Sequence, residues 1–454
     1  MEAQVSKSPG KAKMGRVGAA SSLVLVALLL EIPSVGWAAA GGGQVPFGPI
    51  LFGLALLVVA AKIGGLLVQR LGQPPVLGEL LVGIGLGNLL PLTLGGTGIA
   101  FVRSDPTLLV LAEMGVLVLL FDVGLEADLR ALARVGWSSL LVALIGIVVP
   151  LLLGWGAARW LLPQSASLTH IFVGATLTAT SVGITARVLK DLGVTQSREG
   201  QIVLGAAVMD DVLGLVVLAV VSGAVTAAGT VGPGLSVLAI GGILLRAILF
   251  LALTVGVGHL LSDPIIRLAA RTGQPGSLLV FGLALCFALA YAAELIGLAG
   301  IIGAFAAGLM LDPYGEGIRA REEEATLSEL MHPLSSLFVP LFFVLMGIQV
   351  HLGSLASGRI LILGAVLILC AVAGKLACAL GTSGRGVNRL AIGMGMVPRG
   401  EVGLIFAGIG TSLMLQGQPV LPQAVFSAIV LMVLVTTLLG PVGLRWALRG
   451  GGRR

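Results

Sequence analysis

The sequence predicts an all-α polytopic membrane protein of about thirteen transmembrane helices, built as an inverted repeat with two crossing broken helices. Three observations predict it. The 454 residues are 57% apolar and 11% charged, with a mean hydropathy of +1.08, against about 25% charged residues in soluble domains. Beyond residue 45, apolar segments of spanning length follow one another with short polar joints. Two of those segments, at corresponding places in the two halves, carry runs that interrupt a helix.

At the N-terminus, Lys7, Lys11, Lys13 and Arg16 precede an apolar stretch from Val17 to Leu30, then Pro33 and the small run Ala38-Ala39-Ala40. That order is expected of a secretory signal peptide over residues 1–40, an uncleaved anchor being the alternative. Glu31 and Pro33 cut the apolar run short of the ~20 residues a span requires. The transporter-sized remainder, 45–450, holds expected spans at 47–70, 75–92, 106–124, 137–161, 168–189, 199–224, 234–261, 276–295, 297–312, 335–350, 358–382, 388–415 and 422–446. The polar stretch Asp312 to Pro333, with Glu322-Glu323-Glu324 and then Leu327, Leu330 and Met331 at helical spacing, reads as a linker helix lying along the membrane surface.

Loop charge sets the expected orientation. One alternate set of joints holds Arg70, Arg130, Arg134, Arg187, Lys190, Arg198, Arg267, Arg271, Arg319, Arg321, Arg385 and Arg389, then the basic tail. The other set offers Arg103, Arg159 and Arg359. The first set is expected on the cytoplasmic side of a bacterial inner membrane, which puts the mature N-terminus outside and the C-terminus inside. The net charge of +6 thus reads as topology, and no nucleic-acid partner is expected. Cys286, Cys370 and Cys378 lie in apolar runs and read as packing residues.

The chemistry concentrates in four places. Asp210 and Asp211 sit side by side in the uncharged stretch 202–221, at a cost of about 3 kcal/mol per carboxylate in a membrane helix. Lys375 is the only charge in the eleventh span. The fifth holds Thr176, Thr178, Thr180, Ser181 and Thr185 in ATLTATSVGIT; hydroxyls and freed carbonyls there are hard ligands for a small cation, or else packing groups bonded back to their own helix. The twelfth reads GMGMVPRGEVG, where Pro398 removes a backbone bond and Arg399 and Glu401 can neutralise half-helix ends. Counted at ~1.5 Å per residue, all four lie about 9–16 Å from the same side of the bilayer. Adjacent residues diverge by about 100°, so one aspartate can pair with Lys375 while the other faces a water-filled cavity. The alternative is a permanent structural ion pair. Glu79, Glu113, Glu294, Lys62 and Arg246 are also embedded and are placed outside the site.

The runs QPPVLGELLVGIGLG, LAEMGVLVLLFDVGLE, TATSVGITARVLKDLG, GAAVMDDVLGLVVLAVVSG, GLAGIIGAFAAGLML, FFVLMGIQVHL and GMVPRGEVGLIFAG resemble the second monovalent cation:proton antiporter family, in particular its sodium/proton antiporters of the NapA and GerN type. The resemblance covers nearly the whole mature chain. It implies that Asp211 is the ion- and proton-binding carboxylate (the metal contact being to transported sodium), and that Asp210 pairs with Lys375. Thr178, Thr180, Ser181 and Thr185 would line one broken helix; Pro398, Arg399 and Glu401 would form the other. It implies core helices at about 137–224 and 358–446, a dimer scaffold at about 47–124 and 276–350, and a linking helix at 234–261. An Asp-Asp pair is similar to electrogenic members, which exchange two protons for one sodium ion. The expectation is a homodimeric transporter of sodium or lithium against protons, with no cofactor and no enzymatic activity. Potassium/proton exchange, or a non-transporting membrane sensor or scaffold, are the alternatives.

Overall fold

A computed structural model describes residues 47–89, 97–126, 136–231, 237–271, 276–311, 326–382 and 387–450. The signal-peptide segment, Glu322–Glu324 and the joint arginines Arg130, Arg134, Arg319, Arg321 and Arg385 lie outside them. The helices run in order: α1 (Phe47–Arg70), α2 (Pro75–Asn88), α3 (Thr97–Ser104), α4 (Pro106–Glu126), α5 (Trp137–Leu161), α6 (Ser167–Thr176), α7 (Val182–Asp191), α8 (Arg198–Val231) and α9 (Val237–Arg271). They continue with α10 (Ser277–Leu295), α11 (Gly300–Met310), α12 (Leu327–Gln349), α13 (Leu352–Leu355), α14 (Gly358–Leu376, tightening to a 3-10 turn at Ala377–Gly381), α15 (Arg389–Met396), α16 (Glu401–Ser412) and α17 (Gln423–Gly450).

Nine helices among the described residues are long and apolar enough to cross a membrane, and α15 with α16 forms a tenth span bent by 41°. The shorter α2 and α11 and the pair α6–α7 occupy the remaining expected intervals.

Punctuation residues set the ends. Gly72, with φ +72°, turns the chain out of α1, and Pro75 opens α2 where a missing N–H costs nothing. At the end of α10, Gly297 (φ +79°) donates to Glu294 O, and Leu298 donates to Ala293 O, closing that helix's last carbonyls.

Two packing groups result. In one, α12 lies on α2 and α4, α11 lies on α4 and α10, and α1 lies on α2. The α1–α2 contact is close enough that a Cβ on Gly78 would fall 2.0 Å from the Gly64 carbonyl oxygen. Small residues allow such approach where no hydrophobic force drives helices together. In the other group, α5 packs on α6, α8 and α14, and α17 packs on α14, α15 and α16. Helix α9 touches α8 on one side and α10 and α11 on the other.

Three expectations need correction. The surface linker helix before the tenth span is not separate where the structure describes it. A capping box at Thr326 and Glu329 starts α12 directly, and Pro333 and Pro340 lie within the continuous helix. Leu327 and Met331 are buried against the protein, so their spacing marked a packed helix face and not a lipid-facing one. The second span ends at Asn88, not residue 92, among the described residues. The twelfth ends at Ser412, where a hairpin of Met414–Leu415 with Gln418–Pro419 turns through Gln416 and Gly417, both at positive φ.

Candidate functional site

The fifth and twelfth intervals are both broken. Helix α6 stops at Thr176 and α7 resumes at Val182; α15 stops at Met396 and α16 resumes at Glu401. Pro398 cannot donate a backbone bond, and Gly400 adopts φ −139°, ψ −137°, outside helical geometry. The breaks meet. The Ser181 N–H donates to the Pro398 carbonyl at 2.9 Å. The Thr180 and Thr185 hydroxyls donate to the Met396 and Gly395 carbonyls at 3.3 and 2.7 Å. Each break thereby satisfies polar backbone that the other leaves open, as the membrane interior requires.

Arg399 stitches the crossing from within. It is 0% exposed, donating from Nη1 to the Ala179 carbonyl at 2.8 Å and from Nη2 to the Ala371 carbonyl at 3.3 Å. The Thr437 hydroxyl of α17 donates to Arg399's own carbonyl. The guanidinium therefore ties the Ala179 carbonyl of the first break to the Ala371 carbonyl within α14.

Against this crossing lies the ion pair. Asp210 is 1% exposed and Lys375 0%. The Lys375 ammonium donates to Asp210 Oδ2 and Oδ1 at 3.1 and 3.2 Å and to the Thr178 carbonyl at 2.5 Å. Lys375 sits in the last turn of α14, where a cation suits the helix's negative end. Its neighbour Gly374 admits Pro150, since a Cβ there would fall 2.8 Å from Pro150 Cγ. Gly146, one turn before Pro150, leaves the room the pair occupies. A Cβ on it would lie 2.8 Å from Cys378 Sγ, 3.5 Å from Lys375 Nζ and 3.9 Å from Asp210 Oδ1.

Asp211 points elsewhere. It is half-buried and makes no hydrogen bond or ion pair among the described residues, with Asp210, Glu401 and Lys375 as its charged neighbours. Ser181 is 2% exposed, and its hydroxyl lies within reach of the Glu401 carboxylate. It faces Gly400, where a Cβ would fall 2.7 Å from that oxygen, and Glu401 lies alongside. So the Asp211 and Glu401 carboxylates and the Ser181 hydroxyl flank the crossing, able to offer oxygen to a cation or accept a proton.

The candidate site residues lie at or beside the crossing, but not all are free to act on a ligand. The Thr176 and Thr178 hydroxyls bond back to the Val173 and Ala175 carbonyls of their own helix, at 2.7 and 2.8 Å. The Thr178 side chain is thus packing, and its carbonyl is the part that engages Lys375. Sequence reasoning missed Gly146, Pro150 and Thr437. The spacing of Gly146 and Pro150 carried a signal, because a proline frees the carbonyl four residues earlier; Thr437 offered none. Among the described residues no group of three or more His, Cys, Asp or Glu side chains is placed to hold a metal ion.

A small cavity of about 20 Å³ lies between the crossing and the first packing group, walled by Leu77 and Leu80 of α2 and by Ile184, Glu401, Leu404 and Val433.

Comparison with known proteins agrees with this architecture. The profile of a family described as "Sodium/hydrogen exchanger, transmembrane" matches residues 53–450. The high-affinity Na+/H+ antiporter NhaS3 of Synechocystis is 38% identical over 88% of this chain and 90% of its own length. The Na+/H+-K+ antiporter GerN of Bacillus cereus is 35% identical over 87% of this chain and 95% of its own. The solved structure of the sodium proton antiporter MjNhaP1 from Methanocaldococcus jannaschii shares the fold, with a TM-score of 0.66 at 16% identity, covering 90% of this chain and 99% of that one. With its crossed broken helices, its span-rich sequence and these matches over most of its length, this multi-pass membrane protein belongs to the transmembrane sodium/hydrogen exchanger family.

Proposed function

We propose that the protein is a secondary active transporter that exchanges sodium for protons across the membrane. One observation carries the site assignment: of two adjacent buried-helix carboxylates, Asp210 is held by Lys375 while Asp211 is left unpaired beside the crossing. The relatives named as Na+/H+ antiporters support the exchange itself.

In this reading Asp211 binds either a cation or a proton. Deprotonated, it joins the Ser181 hydroxyl, nearby carbonyls and water around sodium; protonated, it lets the cation go. Asp210 and Lys375 keep a balanced charge next to that exchange, and release of the pair supplies the second proton of an electrogenic cycle. Thr180, Thr185 and Arg399 hold the crossing, and Glu401 shapes the field at Asp211. The group of α5–α8 with α14–α17 acts as a core moving against a scaffold of α1, α2, α4 and α10–α12, linked by α9, and the scaffold forms a homodimer. The arginine-rich joints face the cytoplasm of a bacterial inner membrane, after removal of residues 1–40.

A second reading, potassium/proton exchange, is favoured by the name of the Bacillus cereus relative, which includes K+. Proteoliposomes holding a pH gradient separate the readings when lithium, sodium or potassium is added. Sodium-driven proton movement that Asp211→Asn abolishes supports the proposal; exchange retained by Asp211→Asn overturns the assignment of the site.

A further inference from the structure

On the face opposite the arginine-rich joints, the chain passes from α12 of the first packing group to α14 of the second through Val350–Ser357. That passage is gripped from both groups. Asn88 of α2 donates to the Val350 carbonyl at 2.8 Å and accepts from the Leu352 N–H at 2.9 Å. From α17, the Ser427 hydroxyl accepts from the His351 N–H at 3.1 Å, and Gln423 donates to the Gln349 carbonyl. Any displacement of one group against the other must load this knot.

At its centre lies a contact with a defined proton requirement. His351 Nδ1 stands 3.1 Å from the Gln349 carbonyl, which can only accept, so Nδ1 carries the hydrogen. His351 Nε2 stands 3.0 Å from Nη1 of Arg103, which can only donate, so Nε2 presents its lone pair. Both bonds exist together only in the neutral ring. A proton on Nε2 sets donor against donor and cation against cation. Arg103 is held on its other side by the Ile348 carbonyl, 2.5 Å from Nη2. Among the described residues, the other side chains that hydrogen-bond to this passage are neutral: Asn88 from α2, and Gln423 and Ser427 from α17. Among the described residues no carboxylate pairs with Arg103. Asp105, two residues on, accepts from the Thr107 and Leu108 N–H groups.

We propose that Arg103 and His351 form a proton-sensitive latch at the junction of the two packing groups, closed when His351 is neutral and released when it is protonated from that side. The latch is separate from the crossing and acts by positioning the junction. Its effect on rate rests on the exchange reading above; its effect on stability does not.

The test has two arms, both on the full chain. In purified protein, thermal stability is followed from about pH 8 to pH 5. Wild type is expected to lose more stability over that interval than His351→Gln, whose side chain can still accept from Arg103 but does not titrate. In proteoliposomes, exchange is measured at saturating sodium with pH varied only on the latch side. Wild type is expected to change in maximal rate by roughly five-fold, the equivalent of one net hydrogen bond. His351→Gln and Arg103→Gln are expected to lack that component and to keep only the pH dependence that proton exchange itself imposes. Competition at the ion site would alter KM instead, so saturating sodium separates the two. Superimposable stability profiles of wild type and His351→Gln overturn the latch whether or not the protein transports. A flat stability difference with a rate effect confined to KM does so as well.

Discussion

Removing the ammonium of Lys375 leaves Asp210 alone in a fully enclosed place. The two side chains are 1% and 0% exposed, and three contacts, to both carboxylate oxygens and to the Thr178 carbonyl, vanish together in Lys375→Gln. Breaking a buried pair from one side costs about 3–5 kcal/mol, because the surviving charge has no partner. Removing both charges costs less, since no uncompensated ion remains. Lys375→Gln should therefore be the less stable variant, with Asp210→Asn/Lys375→Gln recovering part of the loss. The sign with pH follows. Acid neutralises a carboxylate that has lost its partner, so the penalty of Lys375→Gln should shrink from pH 8 to pH 5, while the double variant shows no such recovery. Thermal unfolding of wild type, Asp210→Asn, Lys375→Gln and the double variant in one detergent reads the coupling as a double-mutant cycle. Strict additivity of the two substitutions would refute the claim that this pair is energetically coupled.

Three further outcomes follow from the crossing. Arg399→Lys keeps a charge but cannot reach both the Ala179 and Ala371 carbonyls from one planar fork; a loss of about 1.5–3 kcal/mol is expected by thermal unfolding, the value of one charged hydrogen bond. Gly146→Ala places a methyl 2.8 Å from Cys378 Sγ and against the ion pair, so exchange should fall, and Cys378→Ala in the same chain should restore part of it. Thr185→Val removes a single bond to the Gly395 carbonyl and should cost about 1 kcal/mol while leaving the sodium KM unchanged.

Much of this was legible because the membrane leaves few solutions. Charges such as Asp210, Asp211 and Lys375 stand out against an apolar background, and Pro398 between Gly395 and Gly400 marks the interrupted helix, whereas Pro333 and Pro340 leave theirs continuous. The pairing of Asp210 with Lys375 matched the expectation, as did the meeting of the two breaks. What stayed hidden depends on three-dimensional packing. Nothing local distinguishes the Thr178 hydroxyl, which bonds to its own helix, from that of Thr185, which reaches across 210 positions in sequence. Apolar periodicity at Leu327 and Met331 could not tell a face packed on protein from one lying on lipid. Arg103 stands out in the sequence only as a joint charge and His351 only within the run FFVLMGIQVHL, because their contact spans 248 positions and is set by how α3 docks on the end of α12.

The central claim is that sodium and protons compete for Asp211, and calorimetry of sodium binding at several pH values tests it most directly. The account predicts that the apparent Kd rises as pH falls, by up to about tenfold per unit, with proton release on binding and with both effects absent in Asp211→Asn. Sodium affinity that is unchanged across pH, or preserved in Asp211→Asn, would contradict it.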